Sequence, residues 1–331
     1  MNKGPLTGYP SGTVVEGLVF IQSARMLQSR NNIGYLSWFG LDANSLTVRG
    51  TLFNDDLARQ SKLPRFETGD VVKISGMTGD GKYGYSIYTK EMTKLTDQSE
   101  VEEFKSICFP SVPKEQLDHY INTLIKYSQD IKDENLKYLS ECLMEYLKPY
   151  LPKAPAAKAN HEPFRGGLAK HIFEVVTGVD SLYKNNSCGL NYDVLIFSAL
   201  YHDIGKVKEY TEELLYNPEG RLMSHSAFAI ELIATAIHKF DITIDNKLLF
   251  QVKHCIMSHH GEFSEVKPAT REAIVLHFVD NLMAKLGNFD ECIRKNEIGS
   301  DGFGRFSMVL NTTPYVPELD DQRRGNAPIQ K

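Results

Sequence analysis

The sequence predicts a two-domain α+β protein, a five-stranded antiparallel β-barrel followed by an all-α helical bundle. Three observations carry this expectation. The chain has 331 residues, which suits two domains. Before about residue 97, short runs of alternating apolar and polar residues are separated by glycine-rich turns. From about residue 163 onward, apolar residues recur at helical spacing instead.

The barrel elements follow in order. Residues 17–23 (GLVFIQS), 34–40 (GYLSWFG) and 45–53 (SLTVRGTLF) read as three strands. Residues 70–75, after Thr68-Gly69, and 83–88, after the turn 78–81, read as two more. A helical stretch at about 55–63 sits between the third and fourth strands. Strand–strand–strand–helix–strand–strand is the order of an OB-fold, and a five-stranded SH3-like barrel would share the periodicity. The expected divisions are 1–97 for the OB-fold, 98–160 for a helical connection and linker, 161–315 for the bundle and 316–331 for a frayed tail.

Within the connection, Leu117, Tyr120, Ile121, Leu124 and Ile125 form one apolar stripe. Leu136, Leu139, Leu143, Tyr146 and Leu147 form another, and Pro149, Pro152 and Pro155 then stop helix formation. Helices are expected at about 166–184, 191–204, 224–240, 246–258 and 270–295.

Composition excludes other classes. Apolar residues make up 42% and charged residues 24%, an ordinary globular balance. No apolar run of about 18 residues exists, so no transmembrane helix is expected, and the first twenty residues do not read as a secretory signal. Five cysteines (Cys108, Cys142, Cys188, Cys255 and Cys292), with no CxxC pair, suit reduced thiols in a cytoplasm. The net charge of −5 is uneven. Residues 1–96 carry 11 Lys+Arg against 8 Asp+Glu, and residues 97–331 carry 26 against 34. A mildly basic half suits an anionic ligand and an acidic half suits cations.

Chemistry-bearing residues stand out where they interrupt apolar periodicity. His202-Asp203 closes the apolar helix Val194, Leu195, Phe197, Ala199, Leu200. Such a pair is costly there unless something binds it, and a divalent metal would satisfy both groups; a helix-capping pair is the plainer alternative. His171 lies within a helix 31 residues upstream, His225 starts the next helix and His259-His260 ends another. Asp280 sits inside a strongly apolar helix with Ile274, Val275, Leu276, Phe278, Val279 and Leu282. Helical bundles build metal sites in this way, from side chains on separate helices.

The order His…His-Asp…His…His-His…Asp resembles the HD-domain metal-dependent phosphohydrolases. Pro155-Ala-Ala-Lys, Asn160-His161, Gly166-Gly-Leu…His171, Leu200-Tyr-His-Asp-Ile-Gly-Lys206, Glu219-Gly-Arg-Leu-Met-Ser-His225, Ile256-Met-Ser-His-His-Gly261 and Leu276-His-Phe-Val-Asp280-Asn are together similar to the YhaM-type 3′–5′ exoribonucleases. That family also carries an N-terminal OB-fold, so the resemblance spans nearly the whole chain. It implies that residues 161–315 form an HD domain. In it, His171, His202, Asp203 and Asp280 hold one metal, and Asp203 bridges to a second held by His225, His259 and His260. Mn²⁺ is favoured, with Fe, Co, Ni or Mg as alternatives. Lys206 is the expected catalytic partner of Asp203, touching a phosphate oxygen, with helix-end charge complementation as its alternative role. His161 and Arg165 are candidate nucleotide contacts. His254 stands as a substitute ligand, His277 as a residue behind the ligands, and His119 and His238 as surface residues.

In the barrel, Tyr35, Trp38, Phe39, Tyr83, Tyr85 and Tyr88 are candidate stacking aromatics and Arg49, Lys73 and Lys82 candidate phosphate contacts. Strand alternation sends about half of the aromatics inward, and Trp38 reads better as a core or rim residue. The implied activity is hydrolysis of single-stranded RNA to nucleoside monophosphates, with single-stranded DNA a further candidate substrate and a homo-oligomer allowed. A nucleotide or cyclic-nucleotide phosphodiesterase, and a nucleic-acid-binding regulator with a weakened HD site, are the rival readings. Two departures from the family pattern stand out. Glu162 follows His161 where a second histidine is usual, and Lys170 precedes His171 where an acidic residue is usual. Neither is expected to bind metal, and both bear on substrate handling.

Overall fold

The computed structural model describes residues 6–53, 65–81, 84–157, 162–185, 189–294, 298–299 and 301–317. They form two compact units, Met1–Pro110 and Ser111–Lys331.

The first unit is a closed five-stranded barrel. Strands β1 (Val14–Gln28), β2 (Gly34–Leu41), β3 (Thr47–Phe53), β4 (Val71–Gly81) and β5 (Gly84–Lys94) close in the order β1-β2-β3-β5-β4. All pairings are antiparallel except β3 with β5. This is the OB arrangement the strand order predicts. The long β1 makes closure possible, because Val14–Phe20 pair with β4 and Phe20–Gln28 with β2, with a bulge between Ile21 and Ser23. Alternation sends Val19, Ile21, Leu36, Trp38, Val48, Ile74 and Ile87 into the core. The helix expected at about 55–63 lies outside the described residues.

Helix α1 (Gln98–Cys108) starts where Asp97 accepts hydrogen bonds from the backbone N–H groups of Ser99 and Glu100. Its buried Val101, Phe104 and Cys108 pack toward β1 and β4, and the Phe109 ring meets Phe20 edge-on at 4.8 Å. The segment expected to be a connection therefore divides. Residues 98–110 belong to the barrel unit, and the helices after 110 belong to the bundle. The physical reason is that each helix carries an apolar face that only its own unit buries.

The second unit is all-helical: α2 (Lys114–Gln129), α3 (Glu134–Leu147), α4 (Gly167–Asn185), α5 (Tyr192–Tyr201), α6 (Lys206–Glu209), α7 (His225–Lys239), α8 (Asn246–Ser258) and α9 (Arg271–Arg294). The five helices expected beyond residue 163 all appear close to their expected spans. Helix α5 is capped by the Asn191 side chain and is buried at every position from Val194 to Tyr201. A helix apolar all round must be a central one, and α5 is surrounded by α2, α3, α4, α8 and α9. Its last turn delivers His202 and Asp203 into the middle of the bundle. No described helix is long and apolar enough to cross a membrane.

Because the sole tryptophan, Trp38, lies in the barrel core, its fluorescence reports on that unit. Truncating the fully buried Phe104 to Ala should destabilise the barrel unit by about 3–5 kcal/mol. The urea midpoint read by Trp38 fluorescence should fall, while that read by helical circular dichroism moves little.

Candidate metal centre

Five helices deliver the polar cluster. His171 is one turn into α4, His202-Asp203 just past the end of α5, His225 the first residue of α7, His259-His260 just past α8, and Asp280 in mid α9. Asp203 stands at the centre, 1% exposed. Its Oδ2 lies 3.3 Å from Nε2 of both His171 and His202. Its Oδ1 lies 3.5 Å from His225 Nε2 and 3.8 Å from His259 Nε2. Asp280 Oδ1 adds contacts of 3.0 Å to His171 Nε2 and 3.8 Å to His202 Nε2. His260 Nε2 faces His225 Nε2 at 2.9 Å. His171, His202 and Asp203 form one donor group able to hold a metal ion, and His225, His259 and His260 form a second.

The rings are aimed from behind. His202 Nδ1 donates to the Ala199 carbonyl at 2.9 Å and His259 Nδ1 to the Ile256 carbonyl at 2.6 Å. A carbonyl can only accept, so each proton sits on Nδ1 and each Nε2 presents its lone pair to the cluster. His225 Nδ1 donates to Glu209 Oε2 at 2.8 Å. Two glycines permit the approach. A Cβ on Gly205 would lie 1.9 Å from the His225 carbonyl oxygen, so the turn after Asp203 can meet the start of α7 only without a side chain. Gly261, at φ +59°, passes the His277 ring where a Cβ would collide at 2.2 Å.

The donor set fits divalent cations. Asp203 Oδ1 and His259 Nε2 are buried with no hydrogen-bond partner among the described residues, a costly state that a cation relieves. Separations near 3.3 Å are those of neighbouring ligands around an ion with bonds of about 2.1 Å. The protonation pattern agrees. Burial, then the neighbouring His260 and His202, holds His259 well below the ordinary imidazole range. Burial and the adjacent His225 push His260 down to about 4. Burial works against charge on Asp203 and Asp280, yet Lys206 and His202 hold Asp203 ionised, and His171 and His202 hold Asp280 ionised. His171 goes the other way. Burial opposes its charge, but Asp203, Asp280 and Glu162 together raise its pKa well above the ordinary range.

Lys206 opens α6 and is buried, with Nζ 2.6 Å from Asp203 Oδ2. It meets the central carboxylate directly. Glu209 is a residue the sequence reading missed; in Lys206-Val-Lys-Glu209 it looks like one more solvated charge, and only the fold turns it onto His225. His254 is engaged elsewhere, its Nε2 accepting from the Ala269 N–H at 2.9 Å. His277 supports from behind, donating from Nδ1 to the His259 carbonyl at 2.8 Å. His119 packs against Phe173, and His238 is an exposed residue in the last turn of α7. Arg165 is half-buried in a bridge to Ser111. His161, Lys82 and Tyr83 lie outside the described residues.

The two departures from the family pattern meet each other. Lys170 Nζ lies 2.6 Å from Glu162 Oε1 and 2.6 Å from Glu174 Oε1, and Glu162 Oε2 lies 3.5 Å from His171 Nδ1. Burial works against the Lys170 ammonium, yet these carboxylates hold its pKa above the ordinary lysine range.

In the barrel, Trp38 is removed from the stacking candidates. It is 2% exposed and its Nε1 donates to Thr89 Oγ1 at 3.0 Å, so no base can reach its face. Tyr85 is half-buried, bonding the Leu6 carbonyl at 2.6 Å. Lys73 is ion-paired to Glu16 at 2.6 Å. The others form a ladder on the outer face of β2 and β3. Tyr35 is cross-strand neighbour to Phe53 and stacks on it at 4.7 Å, and Phe39 pairs with Arg49. Tyr88 on β5 pairs with Thr51 of β3, and Phe39, Phe53, Tyr88 and Arg49 are all exposed.

The HD domain family matches residues 168–285, which span His171 to Asp280. An OB-type barrel ahead of an HD phosphohydrolase domain is therefore the class of protein that the fold and the site define. Relatives with that extent are the 3′-5′ exoribonucleases YhaM of Shouchella clausii (30% identity over 93% of this chain and 95% of that one), Bacillus pumilus (26%, 97% and 100%) and Halalkalibacterium halodurans (26%, 97% and 98%). The chain belongs to the YhaM family of 3′-5′ exoribonucleases. Among solved structures it is similar to the second OB-fold domain of replication protein A from Methanococcus maripaludis (17% identity, 27% of this chain, 89% of that one, TM-score 0.21).

Two outcomes follow from the geometry. Glu209→Gln should weaken Mn²⁺ binding about 10- to 100-fold in titration calorimetry, with the helical circular dichroism unchanged. His171 carries a proton that an entering cation must displace, so Mn²⁺ binding should release about one proton and tighten as pH rises through neutrality. Calorimetry in two buffers of different ionisation heat measures that release.

Proposed function

We propose that the protein is a metal-dependent hydrolase that shortens single-stranded RNA from its 3′ end and releases nucleoside monophosphates. The observation that supports this most strongly is Asp203, whose two oxygens each face a separate group of histidine nitrogens. Such an arrangement suits two divalent ions, with Mn²⁺ the first candidate for a mixed imidazole–carboxylate set. Bound there, the ions would polarise the scissile phosphate and activate a water.

The chain's own residues do the rest. Lys206 is the ammonium nearest the cluster and is placed to meet charge that builds on a phosphoryl oxygen. Glu209 fixes the orientation of His225, and the backbone carbonyls behind His202 and His259 fix theirs. The Tyr35/Phe53 and Phe39/Arg49 ladder offers stacking faces beside a cation, which is how OB-folds hold single strands without reading sequence. The free thiols of Cys108, Cys142 and Cys255 suit a reducing cytoplasm.

With Mn²⁺ and a 5′-labelled single-stranded RNA, the wild-type protein should give a ladder shortening from the 3′ end. Asp203→Ala should lose on the order of a thousandfold or more in rate. The joint substitution of Phe39 and Arg49 by Ala should weaken RNA binding about tenfold or more in a filter assay. Cleavage confined to mono- and dinucleotides would assign a nucleotide phosphodiesterase instead, and RNA binding without cleavage would assign a regulator. A labelled single-stranded DNA run in parallel settles the substrate range.

A further inference from the structure

Beside the metal centre lies an open cleft of about 600 Å³, lined by Glu209, Tyr216, Gly220 and the run Arg221–Ser224. Its walls are continuous with the site. Glu209 holds the back of His225, and Ser224, which caps α7 by accepting from the Ala227 N–H, immediately precedes His225.

The segment that displays Arg221, Leu222 and Met223 is held rigidly. Tyr210 and Tyr216 form a β-bridge. The Asn217 amide donates to the carbonyls of Lys208 (2.8 Å) and Tyr210 (3.3 Å), and its backbone N–H donates to Glu209 (2.9 Å). Gly220 is buried against the Glu209 backbone, where a Cβ would come within 2.4 Å of the carbonyl oxygen. The N–H groups of Leu222 and Met223 both bond the Glu219 carbonyl. On this fixed shelf Leu222 is 87% exposed and Met223 43% exposed. Large apolar side chains held in water beside a reaction centre point to a surface that a ligand covers. The guanidinium of Arg221, exposed on the same shelf, has no carboxylate or hydrogen-bond partner among the described residues.

An apolar face next to an unpaired guanidinium matches one ligand chemistry, a nucleotide unit with a flat base and a phosphodiester. Leu222 is three residues from His225, at most about 11 Å of chain, so the unit is a neighbour of the bond being cut. We propose that the Arg221–Met223 shelf is a nucleotide subsite, in which the base of a residue flanking the scissile phosphate lies on Leu222 and Met223 while Arg221 binds the adjoining backbone phosphate. This deepens the exoribonuclease reading and rests on it. The subsite accounts for a preference for strands over simple phosphate esters, since only a strand can fill it.

The test compares two substrates of the Mn²⁺-loaded full chain, a short single-stranded RNA and bis(p-nitrophenyl) phosphate, which has neither nucleobase nor neighbouring phosphate. Arg221→Gln and Leu222→Ser should each raise KM for the RNA about tenfold, the effect of losing one charge-assisted or stacking contact, with kcat and the hydrolysis of bis(p-nitrophenyl) phosphate unchanged. Both side chains are exposed, so folding should be intact, as circular dichroism will show. Wild-type KM for RNA in both variants overturns the subsite alone. Equal losses on the two substrates also overturn it, because the shelf would then act through His225. A wild-type chain that leaves RNA intact overturns the exoribonuclease reading together with the subsite.

Discussion

Asp203 is an ionised carboxylate buried at the end of a helix whose other side chains are apolar. A lone buried carboxylate costs several kcal/mol, so positive charge or hydrogen-bond donors must meet both of its oxygens. The second unit is arranged around that requirement. Helix α5 supplies the apolar burial that makes the carboxylate expensive, α4 and α7 bring His171 and His225 to it, His259 reaches it from the end of α8, and α9 brings Asp280 to His171 and His202. Lys206 satisfies Oδ2, whereas Oδ1 is left to the two ring nitrogens of His225 and His259, both beyond hydrogen-bond length. The asymmetry leaves electrostatic attraction concentrated where a cation is coordinated.

Aiming the rings is a separate problem, and the chain solves it with backbone groups. Carbonyls three residues back in the chain hold His202 and His259, so the last turns of α5 and α8 orient the histidines that follow them. Glycines at 205 and 261 let these turns approach neighbouring segments that a single methyl group would keep away. His225 has no such local carbonyl, because it begins a helix, and the buried carboxylate of Glu209 takes that role. The same Glu209 backbone packs against Gly220 and so fixes the shelf in front of the site. One short stretch of chain thus ties ligand orientation to the shape of the adjoining cleft.

The sequence made some of this legible and not the rest, for reasons that differ by residue. The buried polar cluster was readable because His171, His202, Asp203 and Asp280 interrupt apolar periodicity, where a polar group needs a reason. The helices were readable because their stripes are long and regular. Glu209 was not, since an acidic residue among lysines looks like a solvated face until the turn after α6 folds it inward. The attachment of α1 to the barrel was not, because an amphipathic stripe does not name the surface that buries it. Trp38 could be suspected of being core, and its hydrogen bond to Thr89 supplies the reason, a polar partner for the indole N–H inside the barrel.

The two departures behind His171 show how a buried charge can move without being lost. Glu162 and Lys170 stand eight positions apart and are read from sequence as unrelated, yet they share a hydrogen bond of 2.6 Å. Glu162 holds a left-handed backbone conformation at φ +49°, a strain on the order of 1 kcal/mol for a residue with a Cβ. The conformation places its second oxygen toward Nδ1 of His171. Lys170 is held by both Glu162 and Glu174. Glu162 without Lys170 would add a carboxylate next to Glu174, whose own carboxyl is already pushed up to about 7 by burial and by Glu162. As a pair, Glu162 and Lys170 neutralise each other and keep an acceptor near His171. The departure from the family pattern is therefore a rearrangement behind the metal centre that leaves its ligand face intact.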